Sequence, residues 1–414
     1  MRMSLLHKNT FVVILILGAL STVSPFAIDM YLPAFPQIAG ALHTTVAQIS
    51  LSVSSYFIGL ALGQVFYGPL LDRFGRKKPL YVGLVIFILA SIGCMFARNI
   101  ETLIVFRFIQ ALGGCAAQVG SMTMVRDFFP VEENARVISL LILILSVSPL
   151  LAPTVGGLLV GYWGWQAVFI TLAAITAVIL AATTIFLPRG HRPDPTVSLK
   201  PWPIMLGFYH IFKNPQFYTF AISGAFAFAG LFVYVAGAPI IFMEVFHVSA
   251  HTFSGIFAFL SIGFIGASQV NVILGRRFKP ETVFRTALYC QAFFGAIFLI
   301  GTFNHWYGLY ATIALFFLNL ACVGIIYPNA AALALAPFGE QAGRAAALLG
   351  FLQMGVGALA STGVGLLNSH EALPAIAVLV ISAFIGFIIY TWGKRQIPAL
   401  TEISPESAAA IPTY

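Results

Sequence analysis

Twelve long apolar stretches separated by short polar connections organise this 414-residue chain. They cover approximately residues 10–32, 46–69, 79–97, 101–125, 137–160, 165–187, 216–242, 252–274, 283–302, 306–335, 344–367 and 372–393. As helices, each is long enough to cross a hydrocarbon core of about 30 Å. Runs this continuously apolar predict helices and not barrel strands, whose residues would alternate between lipid and lumen. About 34 residues remain per helix with its connection, so the loops are short and no soluble domain fits between spans. The start has the layout of a signal peptide, with Arg2 and Lys8 before an apolar run. That run continues to Ile28 without a small-residue cleavage pattern, and it is expected to be an uncleaved first span.

Composition agrees with a bilayer as solvent. Charged residues make up 8% of the chain and hydrophobic ones 60%, against about 25% charged in soluble domains, which excludes an ordinary cytosolic enzyme. The net charge of +8 could indicate a polyanionic partner. If the chain starts in the cytoplasm, however, 19 of its 21 Lys and Arg fall on the cytoplasmic side, Arg98 falls outside and Arg107 lies within a span. That asymmetry predicts two cytoplasmic termini and a lipid partner, with no nucleic acid. All four cysteines, Cys94, Cys115, Cys290 and Cys322, fall within spans, so no disulfide is expected. His247 and His251 have i, i+4 spacing but no third ligand cluster, so no metal site is expected.

The longest connection, from Pro188 to Pro215, is proline-rich and is expected to lack a continuous helix. It divides the spans six and six, giving an N-terminal bundle (1–188), a cytoplasmic linker (189–215), a C-terminal bundle (216–395) and a disordered tail (396–414). A shift of 204 residues overlays His43 on His247, Gly59 on Gly263, Arg73 on Arg277 and Phe74 on Phe278. A shift of 208 serves the later spans. Two similar bundles about an axis along the membrane normal suit alternating access. The repeat fails at Asp29, which overlays on Val233, at Arg107, which overlays on Leu315, and at Asp72, which overlays on Arg276.

Asp29 and Arg107 are therefore ionisable groups inside spans of one half only. A charge at the bilayer centre costs about 2.5–3.5 kcal/mol, so such groups should face water or a partner. Pro25 and Pro33 flank Asp29 and break the span around it. Because a guanidinium does not deprotonate, Asp29 is the candidate proton carrier of the pair. The alternatives are an interfacial Asp29 and an Arg107 that pins backbone carbonyls.

Residues Gly68-Pro-Leu-Leu-Asp72-Arg73-Phe-Gly75-Arg76-Lys-Lys78, between spans 2 and 3, resemble the signature loop of the major facilitator superfamily. Leu103 to Gly114 resembles its fourth-helix motif, and Ala152-Pro153-Thr-Val-Gly156-Gly157 resembles the motif of its proton-coupled drug antiporters. Asp29-Met-Tyr31-Leu-Pro33-Ala, with Gly343 to Gln353, is similar to the bicyclomycin and chloramphenicol resistance branch. The resemblance covers about residues 10–393. It implies an all-α integral membrane protein of twelve helices in two six-helix bundles, acting as a monomer in the bacterial inner membrane. It further implies efflux of amphenicol-like, bicyclomycin-like and other lipophilic drugs, driven by the proton gradient without a cofactor.

By that resemblance Arg76 pairs with Asp127, and Asp72 approaches the start of span 11 near Gly343, a latch built with Gly68, Arg73 and Gly75. Pro153, Gly156 and Gly157 give span 5 a kinked, flat face, which the resemblance packs against span 8. Substrate contacts are expected from Tyr31, Tyr56, Gln64, Gln110, Gln118, Phe226, Tyr234, Asn319 and Gln353, polar or aromatic groups on inner spans. An exporter of an endogenous sugar, amino acid or peptide remains open. A membrane enzyme would need a carboxylate pair, metal cluster or activated nucleophile, and no such pattern is visible.

Overall fold

The computed structural model describes residues 10–188, 190, 193–197, 199, 201–339, 341–367, 369–397 and 400–401. Among these, twelve helical segments are long and apolar enough to cross a membrane: Thr10–Ala41, Val46–Phe74, Lys77–Met95, Ile100–Phe128, Leu143–Trp163, Gln166–Phe186, Pro215–Val245, Ala250–Leu274, Pro280–Phe303, Leu309–Leu335, Ala342–Leu367 and Ala372–Gln396. They are spans 1 to 12. Helix predominates because no other open structure satisfies every backbone group without water.

In the first half, span 1 packs on spans 4, 5 and 6, span 4 on spans 2 and 3, and span 3 on span 6. Adding six to every number reproduces the packing of the second half. The outer surface is apolar: Leu89 of span 3 and Phe96 just after it, Phe293 and Phe303 of span 9 and Ile381 of span 12 are more than half exposed. Such side chains would be costly in water, whereas lipid accepts them.

The repeat extends to single dihedral angles. His43 (φ 52°) and His247 (φ 51°) each end the turn that follows the first span of their half. Two residues later Thr45 and Ser249 cap the next helix, accepting from the amides of Gln48 (3.1 Å) and Thr252 (3.2 Å). The 204-residue shift relates all three pairs.

Three boundaries differ from expectation. Span 1 does not end near residue 32: after helix Thr10–Asp29 a 3-10 turn, Leu32–Ala34, leads into helix Phe35–Ala41. Proline interrupts the hydrogen-bond ladder without turning the chain around. The linker does contain a helix, Pro201–Phe212, because Pro203 falls in its first turn, where an amide has no intrahelical partner to lose. Finally, the expected disorder does not begin at residue 396. Tyr218 donates to Gln396, and Gln216 exchanges hydrogen bonds with the backbone of Thr401 (2.9 and 3.2 Å). Residues 402–414 lie outside the described residues, as do 1–9.

Close helix packing relies on glycine where backbone meets backbone. A Cβ at Gly113 of span 4 would sit 2.5 Å from the Gly83 carbonyl oxygen and 2.6 Å from the Phe87 nitrogen of span 3. Gly120, two turns further on, has only side-chain atoms nearby, the closest 3.5 Å away. Gly113→Val is therefore expected to separate spans 3 and 4, cost about 1–3 kcal/mol and lower the melting temperature of the detergent-solubilised protein. Gly120→Ala should leave it within error.

Candidate functional site

Arg107 is fully buried in span 4. Its guanidinium lies between two aromatic rings, 4.6 Å from the Tyr31 centroid and 4.4 Å from that of Tyr56. One Nη donates to the Ala27 carbonyl (3.0 Å) and to Gln110 Oε1 (2.6 Å), and the Gln110 amide donates onward to Ser91 (2.7 Å). Tyr31 is held in turn by Ser52 (2.9 Å) and by the rings of Phe35 and Phe169, at 5.0 and 5.5 Å. Four spans thus build a cage that offsets lost hydration by cation–π attraction and two oxygen acceptors, while Nε and the other Nη are buried without a hydrogen-bond partner among the described residues. Gly114 leaves room for it, since a Cβ there would fall 2.5 Å from Ser24 Oγ and 2.8 Å from Tyr56 Oη. Tyr31, Tyr56 and Gln110 are all spent on this cage. Ser24, Ser52 and Ser91 are members that sequence reading missed, although the hydroxyl-rich run Ser50, Ser52, Ser54, Ser55 in an apolar span was a visible signal.

Asp29 is 6% exposed and has no hydrogen bond or ion pair with a described residue. It does not pair with Arg107. The arginine instead binds the carbonyl of Ala27, two residues before the acid, and so fixes the segment that carries it. Asp29 ends the first helix of span 1, at the break. The next carbonyl, that of Met30, lies against Gly156 of span 5, where a Cβ would overlap it. Across the bundles the 3-10 turn that follows Asp29 packs on span 8, and span 7 of that half carries the hydroxyl of Tyr234. That hydroxyl is buried without a hydrogen-bond partner, and its ring stacks on Phe257 at 5.3 Å.

The halves meet where spans 2 and 11 and spans 5 and 8 pack. Ser254 of span 8 donates to the Pro153 carbonyl of span 5 (2.9 Å), and Ser361 of span 11 to Ser54 of span 2 (2.9 Å). A Cβ on Gly157 would lie 3.1 Å from Ser254 Oγ, and one on Gly365 would lie 2.9 Å from Ser50 Oγ. Gly365 is Gly157 shifted by 208, and Ser254 is Ser50 shifted by 204. Both seams are therefore copies of one small-residue clasp. They lie toward the face opposite the basic loops, because the span 1–2 and 7–8 turns adjoin Ser50 and Ser254.

On the basic face Arg76 joins Asp72 (2.6 Å) to Asp127, which it grips through Nε at 2.7 Å and Nη2 at 3.3 Å. Burial works against its charge, yet the two carboxylates outweigh burial and hold the guanidinium above its usual range. Gly75 (φ 78°) reverses the chain after span 2, a conformation that suits glycine. Arg73 donates to the Val197 carbonyl (2.9 Å) and the Asp194 amide to Asp72 O (3.1 Å), so the linker closes over this loop. Gly68 and Gly343 have nothing within 4 Å of a Cβ position. Among the described residues Asp72 meets its own half and not span 11. The intrabundle part of the latch is formed; the interbundle part is parted.

The remaining candidates are dispersed. Gln64 faces Gly350 in the span 2–11 seam, with Oε1 3.3 Å from its Cβ position. Phe226 lies beside Gly386 of span 12. Gln118 Oε1 and Gln353 Nε2 are buried without partners, and Asn319 is buried with its amide on the Leu315 carbonyl (2.9 Å).

This arrangement has relatives. The family model described as Major Facilitator Superfamily matches residues 17–361. The chain belongs to the major facilitator superfamily. A bicyclomycin resistance protein homolog of Haemophilus influenzae is 30% identical over 392 residues, covering 93% of this chain and 96% of its own. The MFS-type transporter YdgK of Bacillus subtilis is 30% identical over 386 residues (92% and 95%). Multidrug resistance protein MdtL of Escherichia coli is 30% identical over 341 residues (81% and 84%). Among solved structures, a bacterial homolog of the human lysosomal transporter Spinster, inward-facing and occupied, superposes with a TM-score of 0.74 at 16% identity, covering 95% and 98% of the two chains.

As a major facilitator, the chain is a multi-pass membrane transporter and not an enzyme. Two substitutions probe how this facilitator holds its acid. Lysine at 107 keeps the charge but cannot fill the plane between two rings while bridging Ala27 and Gln110. Arg107→Lys is expected to lose about 2 kcal/mol, read as a lower melting temperature in detergent. Gly156→Ala displaces Met30 and should cut transport at least tenfold, whereas Gly161→Ala, with nothing within 4 Å, should transport normally.

Proposed function

We propose that this chain exports small lipophilic drugs across the bacterial inner membrane in exchange for protons, as a monomer with its basic face and both termini in the cytoplasm. The observation that carries this reading is Asp29: a buried acid without a partner, set at a break in span 1 and facing the other half. A proton or a cationic substrate beside it removes the cost of an unpaired charge in a water-poor interior. Arg107 does not compete for it, being caged by Tyr31 and Tyr56. The bicyclomycin and multidrug resistance names of relatives at 30% identity support a drug as cargo.

In this cycle the present state, clasped on the outer face and parted at Asp72 and Gly343, takes up substrate from the cytoplasm. Release of the proton from Asp29 and arrival of substrate favour rocking of the bundles, which opens both clasps and closes the latch on Arg76 and Asp127. A proton from outside reloads Asp29 as substrate leaves. No cofactor takes part, since the gradient supplies the work, about 2.3 kcal/mol per elementary charge per 100 mV.

Asp29→Asn is expected to abolish efflux driven by a pH gradient in inverted vesicles, with the melting temperature preserved. The same variant in a pump-deficient host should show the drug susceptibility of the empty vector. Full gradient-driven efflux by Asp29→Asn would overturn the carrier assignment. Metabolite accumulation without altered drug tolerance would instead indicate an endogenous sugar, amino acid or peptide as cargo.

A further inference from the structure

On the lipid-facing side of the second half, spans 9 and 12 flank a cavity of about 460 Å³ at the basic face. Arg285 and Tyr289 line it from span 9, Tyr390 and Thr391 from span 12, and Lys394 and Arg395 from the 3-10 turn that ends span 12. Three cations thus share one recess at the end of a membrane span. Lys394 is committed, since it pairs with Glu281, which also accepts from the Tyr390 hydroxyl (3.2 Å). Arg285 and Arg395 have no ion pair or hydrogen bond among the described residues. The recess therefore carries two uncompensated guanidinium groups, with Thr391 and Tyr289 beside them. Its walls are firm: the Tyr390 ring packs on Phe284 at 5.3 Å and that of Tyr289 on Phe387 at 5.3 Å.

The recess continues into an apolar strip. One turn beyond Tyr289 stands Phe293, 62% exposed, followed by Ile297, and opposite them Ile388 and Phe384 are also exposed to lipid. A ligand that satisfies both parts has an anionic, hydrogen-bond-accepting head and one or two hydrocarbon tails. We propose that this groove binds an anionic phospholipid, its phosphodiester between Arg285 and Arg395 and its acyl chain along Phe293 and Ile388. Guanidinium suits a phosphate oxygen pair better than ammonium does, and basic recesses between spans on the positively flanked side select acidic headgroups. A free phosphate would use the arginines and leave the strip unused. The site stands apart from Asp29 and does not depend on the direction or cargo of transport.

The test uses the full-length protein in detergent, with phosphatidylglycerol, phosphatidylcholine or inorganic phosphate as the added ligand. Binding is read by native mass spectrometry and by melting temperature. Wild type is expected to retain phosphatidylglycerol in preference to phosphatidylcholine and to melt at higher temperature with it. Arg285→Gln combined with Arg395→Gln should weaken that binding at least tenfold, and Lys at both positions should restore only part of it. Arg276→Gln combined with Arg277→Gln, on the same face but outside the recess, should bind as wild type does. Equal phosphatidylglycerol binding by the Arg285/Arg395 double variant and wild type overturns the site. Equal protection by inorganic phosphate alone overturns the lipid assignment in favour of a free anion.

Discussion

A charge inside a hydrocarbon layer has to be caged, paired or wetted, and the first half of this facilitator shows how differently three such charges are handled. Arg107 is caged by two rings, a carbonyl and an amide. Arg76, at the membrane boundary, is paired twice. Asp29 receives neither treatment, although the surrounding spans supply hydroxyls and amides in quantity. The fold stabilises two permanent charges within one bundle and leaves the single exchangeable one between bundles. That is the condition a coupling group needs, because a carboxylate locked to a neighbour would gain nothing from a proton or a substrate.

The cage also explains why an arginine is placed so near an acid it does not bind. By holding the Ala27 carbonyl, it anchors span 1 before its break, while Gly156 seats the break from the other side. Asp29 is thereby fixed by its backbone and left free at its side chain. The two clasps between halves follow a similar economy. Each combines a glycine with a serine hydroxyl on the facing helix, so helices approach closely through contacts small enough to separate.

Much of this was legible before any coordinates. Apolar runs located the spans because bilayer thickness imposes their length, and the 204-residue shift paired His43 with His247, whose φ angles agree to within a degree. The failures have a common cause: proline and polar residues were given a meaning independent of position. The apolar run stops near residue 32, whereas span 1 only breaks at Pro33 and continues in helical form to Ala41. The prolines of the linker rule out one continuous helix, yet Pro203 sits in a first turn where no amide bond is lost. Tyr31, Tyr56 and Gln110 carried the right chemistry for a drug pocket, but spacing along one chain does not show that their partner is Arg107. The pairing of Ser254 with Pro153 was equally hidden, since it depends on the apposition of two bundles and not on either span alone.

The linker bears on how far those bundles can travel. Its residues Asp194 and Val197 are bonded to Asp72 and Arg73 at the end of span 2 in the first half, while helix Pro201–Phe212 packs on spans 7 and 11 of the second. Only four peptide links join Val197 to Pro201, a reach of about 14 Å when drawn out fully. As long as both attachments hold, the chain is a short mooring line across the basic mouth: it sets an upper limit on gape at that corner, so wider opening requires one attachment to let go first.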